Sequence, residues 1–124
     1  MKKLALATLF LLVSGTAIAG LITTLMTNAA TTGAGTSINY SSIGTIPRPN
    51  IWFQATLNGA SAVSATVEID GSTDNTNWVP LTTFSLTAAS ATLATAVVTT
   101  APYIRGNLTA ISGSGASVTV RSGE

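Results

Sequence analysis

The stretch AVSATVEID, residues 62–70, decides the fold class. Val63, Ala65, Val67 and Ile69 alternate with Ser64, Thr66, Glu68 and Asp70. In an extended chain the first four of these side chains fall on one face and the other four on the opposite face. That is a half-buried β-strand. IWFQATL, residues 51–57, repeats the pattern, with Ile51, Phe53, Ala55 and Leu57 set against Trp52, Gln54 and Thr56. SINYSS (37–42), WVPLTTFSL (78–86), ATLATAVV (91–98), PYIRGNLTAI (102–111) and ASVTVR (116–121) supply further candidate strands. Pro80 cannot donate to a ladder, so it marks an edge, a bulge or a strand start. No helical period follows residue 26. Strands at roughly 8–12-residue spacing, separated by Gly, Ser, Asn or Pro, predict an all-β fold. The expectation is a single antiparallel β-sandwich of about seven strands, Ig-like or jelly-roll-like, preceded by an apolar N-terminal leader or arm.

Neither histidine nor cysteine occurs among the 124 residues. The usual general base, the thiolate nucleophile, the disulfide and the common zinc ligands are therefore missing. Charged residues make up 7% of the chain, against roughly 25% in an average soluble domain. Hydroxyls and amides must solvate such a surface, and little charge repulsion opposes association. With so few candidates for acid–base work, a non-enzymatic protein without a cofactor is expected.

MKKLALATLFLLVSGTAIAG, residues 1–20, starts with Lys2 and Lys3, continues through an apolar run and ends in small residues. Residues 1–19 read as a signal peptide cut after Ala19, or as a retained apolar helix. Leu4 to Met26 is long enough to span a bilayer, so a membrane is a partner only if that segment is kept. Residues 20–36 read as an extended arm or linker and 37–124 as the β-domain. Cleavage would leave three arginines against four acids, with no basic patch. No nucleic-acid partner is expected.

The loop in EIDGSTDNTNWVPL, residues 68–81, offers Asp70, Asp74, Asn75 and Asn77 as oxygen ligands. Their spacing does not match a calcium loop, and no metal is expected. It fits a β-hairpin instead: Gly71 tolerates positive φ, Asp and Asn cap their own backbone amides, and Trp78 returns the chain to the core. STDNTNW is also similar to the Asp-box hairpin of sialidase-like propellers, but lacks its glycine and is one residue short before the tryptophan. Glu68 and Asp70 share a strand face, as a glycosidase pair would, although two acids on a polar face are ordinarily just solvated. Trp52, Trp78 and Tyr103 could together form a sugar-stacking platform, with core packing the plainer reading. Trp52 opposes Phe53 and points outward, where it could anchor a partner. Arg105 is expected as an exposed strand arginine and is the second candidate partner contact. SGSGA, residues 112–116, reads as a hairpin turn rather than a phosphate loop, because no helix follows it.

LMTNAATTGAG (25–35), VEIDGSTDNTNWVPL (67–81) and APYIRGNLTAISGSGASVTV (101–120) resemble, in the same order, segments of small tailed-bacteriophage virion proteins. The likeness covers about residues 25–121, and each piece is specific only as part of the ordered set. It implies a β-sandwich accessory or decoration component of a phage particle, with no catalytic residues. Asp74, Trp78 and Gly113 match the recurrent residues of that group. Arg105 follows Tyr103 after one residue where the group has two, and the export-like leader is foreign to proteins assembled in the cytoplasm.

The functional expectation is a structural protein that self-associates or decorates a larger assembly. Its partners would be other copies of itself, or a phage or cell-surface assembly, placing it in a virion or outside the cell. One alternative is an exported filament subunit whose residues 20–40 add a strand to the next subunit. The other is an adhesive module that binds a glycan through Trp52.

Overall fold

Each alternating run after residue 50 forms a strand in the computed structural model, which describes residues 22–40 and 50–123. Nine strands occur among those residues: β1 (Thr23–Ala29), β2 (Gly33–Ala34), β3 (Ile38–Asn39), β4 (Asn50–Asn58), β5 (Ser64–Ser72), β6 (Val79–Leu86), β7 (Thr92–Val98), β8 (Tyr103–Ser112) and β9 (Ser117–Gly123). They build two antiparallel sheets. Sheet A runs β1-β9-β4-β7, and sheet B runs β2-β8-β5-β6 with β3 also on β8. The result is an all-β sandwich, as the alternation requires.

Register shows why the apolar faces meet. Val67 lies opposite Phe84 on one side and Leu108 on the other, so three strands deliver their inward residues at one level. In sheet A, Ala55 lies opposite Val120 and Leu57 opposite Val118. One continuous core results, built from Leu25, Met26, Ile51, Phe53, Leu57, Val63, Val67, Ile69, Phe84, Leu86, Ile104, Leu108, Val118 and Val120 with smaller alanines. Burying each large side chain contributes about 1.5–3 kcal/mol relative to exposure. Ser122 is the polar intruder on the inner face, opposite Phe53. Its hydroxyl bonds the Tyr40 hydroxyl, so the buried oxygen is satisfied.

The segment read as an arm is part of the sandwich. Residues 23–29 pair with β9, and Leu25 and Met26 enter the core. Residues 33–34 and 38–39 pair with β8. The expected first strand at 37–42 is thus reduced to Ile38–Asn39, its last two residues lying outside the described ones. Gly35 makes the close turn between β2 and β3 possible. A Cβ there would strike the Leu25 carbonyl oxygen, while the Gly35 amide donates to the Gly106 carbonyl at 2.8 Å. The leader, residues 1–19, lies outside the described residues. Among the described residues no helix is long and apolar enough to cross a membrane.

Two turns differ from expectation. SGSGA does not close a hairpin: β8 belongs to sheet B and β9 to sheet A, so the segment carries the chain from one sheet to the other. Gly113 takes φ +102 there, and a Cβ would meet the Ala62 carbonyl oxygen at 2.8 Å. Gly71 does not supply a left-handed turn residue; Asn75 does, at φ 60. Gly71 is buried within β5, where a Cβ would press on Leu81 and Ala101.

Candidate functional site

The hairpin between β5 and β6 is organised by a single carboxylate. Asp74 Oδ1 accepts from the backbone amides of Asn77 at 2.7 Å and Thr76 at 2.9 Å, and from the Ser72 hydroxyl at 3.0 Å. Asp74 Oδ2 accepts from Asn77 Nδ2 at 2.6 Å. These bonds, with the Asn77 amide foremost, hold the Asp74 carboxyl well below the usual carboxylate range. The loop oxygens turn inward on their own backbone. No group of three or more acidic, His or Cys residues that could hold a metal occurs among the described residues.

Asp70 and Arg105 sit directly opposite each other on β5 and β8, facing out of sheet B. Arg105 Nε donates to Asp70 Oδ2 at 3.0 Å, and the Trp78 ring lies 4.2 Å from the guanidinium carbon. Asp70 is 3% exposed even though it lies on an outer face. This cluster corrects one expectation. Trp78 is half-buried outside the core and stacks on Arg105. The space inside this end of the sandwich is taken by Leu81 and Ala101, which close over Gly71. Arg105 faces outward as expected and pairs with Asp70 within the chain, its side chain 23% exposed. Pro80 lies opposite Asp70 beside a bulge in the β5–β6 ladder, so the residue that cannot donate sits where the ladder is already broken. Glu68 shares the outward face of β5, two residues from Asp70, and lies opposite Asn107 and Thr83.

Trp52 is on the other side of the molecule. It projects from sheet A and is 52% exposed, whereas Tyr103 belongs to sheet B and Trp78 to the β5–β6 hairpin of that sheet. The three aromatics therefore cannot form one platform, because period two sends Trp52 out of the opposite sheet. Its neighbours are those set by register: Ala96 on β7 and Gly123 on β9. Further along β4, Gln54, Thr56 and Asn58 face outward opposite Arg121, Thr119 and Ser117. Gln54, Thr56, Asn58, Thr119 and Arg121, with Asn28 of β1, line a depression of about 270 Å3. Sequence reading did not find this depression. Asn28 joins the lining where the pairing of β1 with β9 is irregular: its φ is 46 and the register shifts between Met26 and Ala29.

The four sheet edges are unequal. β1 is broken by two register shifts, β2 and β3 are two residues each, and β6 carries Pro80 and a bulge. Those are the features that blunt an edge. β7 has none of them. It pairs with β4 without interruption from Asn50↔Val98 to Thr56↔Thr92, and its sequence TLATAVV has no charge, glycine or proline. No residue of β7 is fully buried, and Leu93, on its inward face opposite Ala55, is 43% exposed. Val98 is also strongly exposed and shares the outer face with Trp52.

The chain matches no family model, no curated protein and no solved structure.

Two measurements check these assignments. Replacing Arg105 by Met leaves the Asp70 carboxylate buried without its cation, and should destabilise the fold by on the order of 3 kcal/mol in urea unfolding. The Asp70→Leu/Arg105→Met double variant should recover most of that loss; equal losses in single and double variants would mean that the pair is not coupled. Asp74 supplies a pH signature. Because folding lowers its affinity for protons, its contribution is complete above the ordinary value of 3.8 and is lost as pH falls below it. Asp74→Asn should therefore be less stable than the parent at neutral pH, with the gap closing toward about pH 2. A gap that stays constant with pH would remove the carboxylate from the account.

Proposed function

We propose that this chain is a non-enzymatic structural module that associates with copies of itself, joining the β7 edges of two sandwiches so that sheet A continues from one molecule into the next. The observation that carries this reading is the β7 edge: regular, uncharged and the one long edge among the described residues without a blunting device. Side by side, two such edges would satisfy each other's free amides and carbonyls. Leu93 and Val98 would be covered at the same time, and a two-fold axis makes the contact self-complementary. The lack of charge and of histidine and cysteine over the chain supports an assembly role rather than turnover. A particle surface, such as the decoration or accessory layer of a phage, is the setting that the ordered resemblance suggests; an exported surface assembly is the setting suggested by the leader.

Strand addition remains the mode, but with a different strand. Residues 23–29, 33–34 and 38–39 already pair within their own chain, so the segment 20–40 has little left to donate.

Placing lysine at both Leu93 and Val98 puts charges on the edge and removes its apolar cover. Sedimentation of the full chain should show concentration-dependent association, weakened at least tenfold in the Leu93→Lys/Val98→Lys variant with its unfolding midpoint retained. A parent that stays monomeric at every concentration, or a variant that associates equally well, would end the proposal.

A further inference from the structure

The polar depression on sheet A has a chemistry of its own, independent of the β7 edge. Gln54 and Asn58 on β4 and Arg121 on β9 make no side-chain hydrogen bond or ion pair among the described residues. Asn28 and Thr119 bond each other at 3.2 Å across the wall, and Thr56 bonds Thr92 at 3.1 Å. The lining is therefore two free amides, one free guanidinium and hydroxyls already held in place.

Charge distribution narrows the ligand. The strands of sheet A read TTLMTNA, NIWFQATLN, TLATAVV and SVTVRSG, so Arg121 is the sheet's single charge. Of the four acids, Glu68, Asp70 and Asp74 belong to sheet B or its hairpin, Asp70 is committed to Arg105, and Glu124 lies outside the described residues. An uncompensated guanidinium in an amide-lined hollow fits a carboxylate flanked by hydroxyls, since the planar fork can bind a carboxylate through two parallel bonds. A single cation is too little for a nucleic-acid backbone, whose binding depends on several phosphate contacts.

Trp52 extends the surface. It lies two residues before Gln54 on the same face, roughly 7 Å along the strand, and opposite Gly123. A Cβ at Gly123 would meet nothing, so the strip between the indole and Arg121 is open. The ring thus offers a flat apolar surface beside the polar hollow, as amphipathic ligands require. The hollow is slightly below the ~300–1,000 Å3 usual for small-molecule sites, which suits an oligosaccharide lying along an open face.

We infer that the outer face of sheet A binds an acidic saccharide. The sugar carboxylate pairs with Arg121, its hydroxyls bond Gln54 and Asn58, and the apolar face of the adjoining sugar ring lies on Trp52.

The test is a titration of the isotope-labelled full chain, followed by amide NMR, with trigalacturonate, a hyaluronan tetrasaccharide and sialyllactose, each beside its methyl ester. At least one acid should perturb Gln54, Asn58 and Arg121 and bind tenfold or more tightly than its ester. Arg121→Gln should abolish that difference, and Trp52→Ala should weaken both forms. The Leu93→Lys/Val98→Lys variant should still perturb Gln54, Asn58 and Arg121, so loss of association and loss of sugar binding are separately visible. Silence of the sheet A face to all three acids at millimolar concentration overturns the inference. So do equal affinities for acid and ester, or undiminished binding by Arg121→Gln.

Discussion

Val63, Ala65, Val67 and Ile69 cannot leave water without Ser64, Thr66, Glu68 and Asp70 being turned outward, and the same holds for β4 and β9. This constraint fixes more than the core. Once Ile51, Phe53, Ala55 and Leu57 are buried against the opposite sheet, Trp52, Gln54, Thr56 and Asn58 must form a row on the outside. The binding face of sheet A is thus a consequence of packing the inside. A one-residue slip of β4 would bury an indole and two amides in place of four apolar side chains, so the register is strongly held.

The consequences differ between the sheets because the charges are unevenly distributed. Sheet B and its hairpin carry Glu68, Asp70 and Asp74, and Asp70 neutralises Arg105 beside Trp78 at that end. One atom there, Asp70 Oδ1, is buried without a hydrogen-bond partner, and a loss of that kind is tolerable beside a charge-assisted bond from Arg105. Among the described residues sheet A has no acid with which to neutralise Arg121, and β7 has no proline or bulge. One sheet is finished within the chain, and the other leaves its edge and one cation open.

The alternating strands were legible in the sequence because period two is a local signal, and AVSATVEID, IWFQATL and ATLATAVV carry it residue by residue. The outward placement of Trp52 followed from the same rule. β1 was not legible: TTLMTNA follows directly on the apolar leader, and its pairing with β9 joins residues nearly a hundred positions apart, as Thr23 with Ser122. The hairpin of Asp74 could be read from turn chemistry, but the site of positive φ moved from Gly71 to Asn75, since Gly71 was needed for close packing. Trp78 was misplaced for a related reason. Its preference for burial is met by stacking on Arg105, a partner on a strand that local sequence does not bring to mind. The hollow around Arg121 was invisible because it depends on three strands and on the irregular end of β1.

Amide hydrogen exchange measured across a range of protein concentrations tests most directly whether the β7 edge joins that of a second copy. Exchange at residues 92–98 should slow as concentration rises, while residues 79–86, on the blunted edge of the other sheet, should exchange at a constant rate. Identical exchange in β7 at all concentrations would contradict the account.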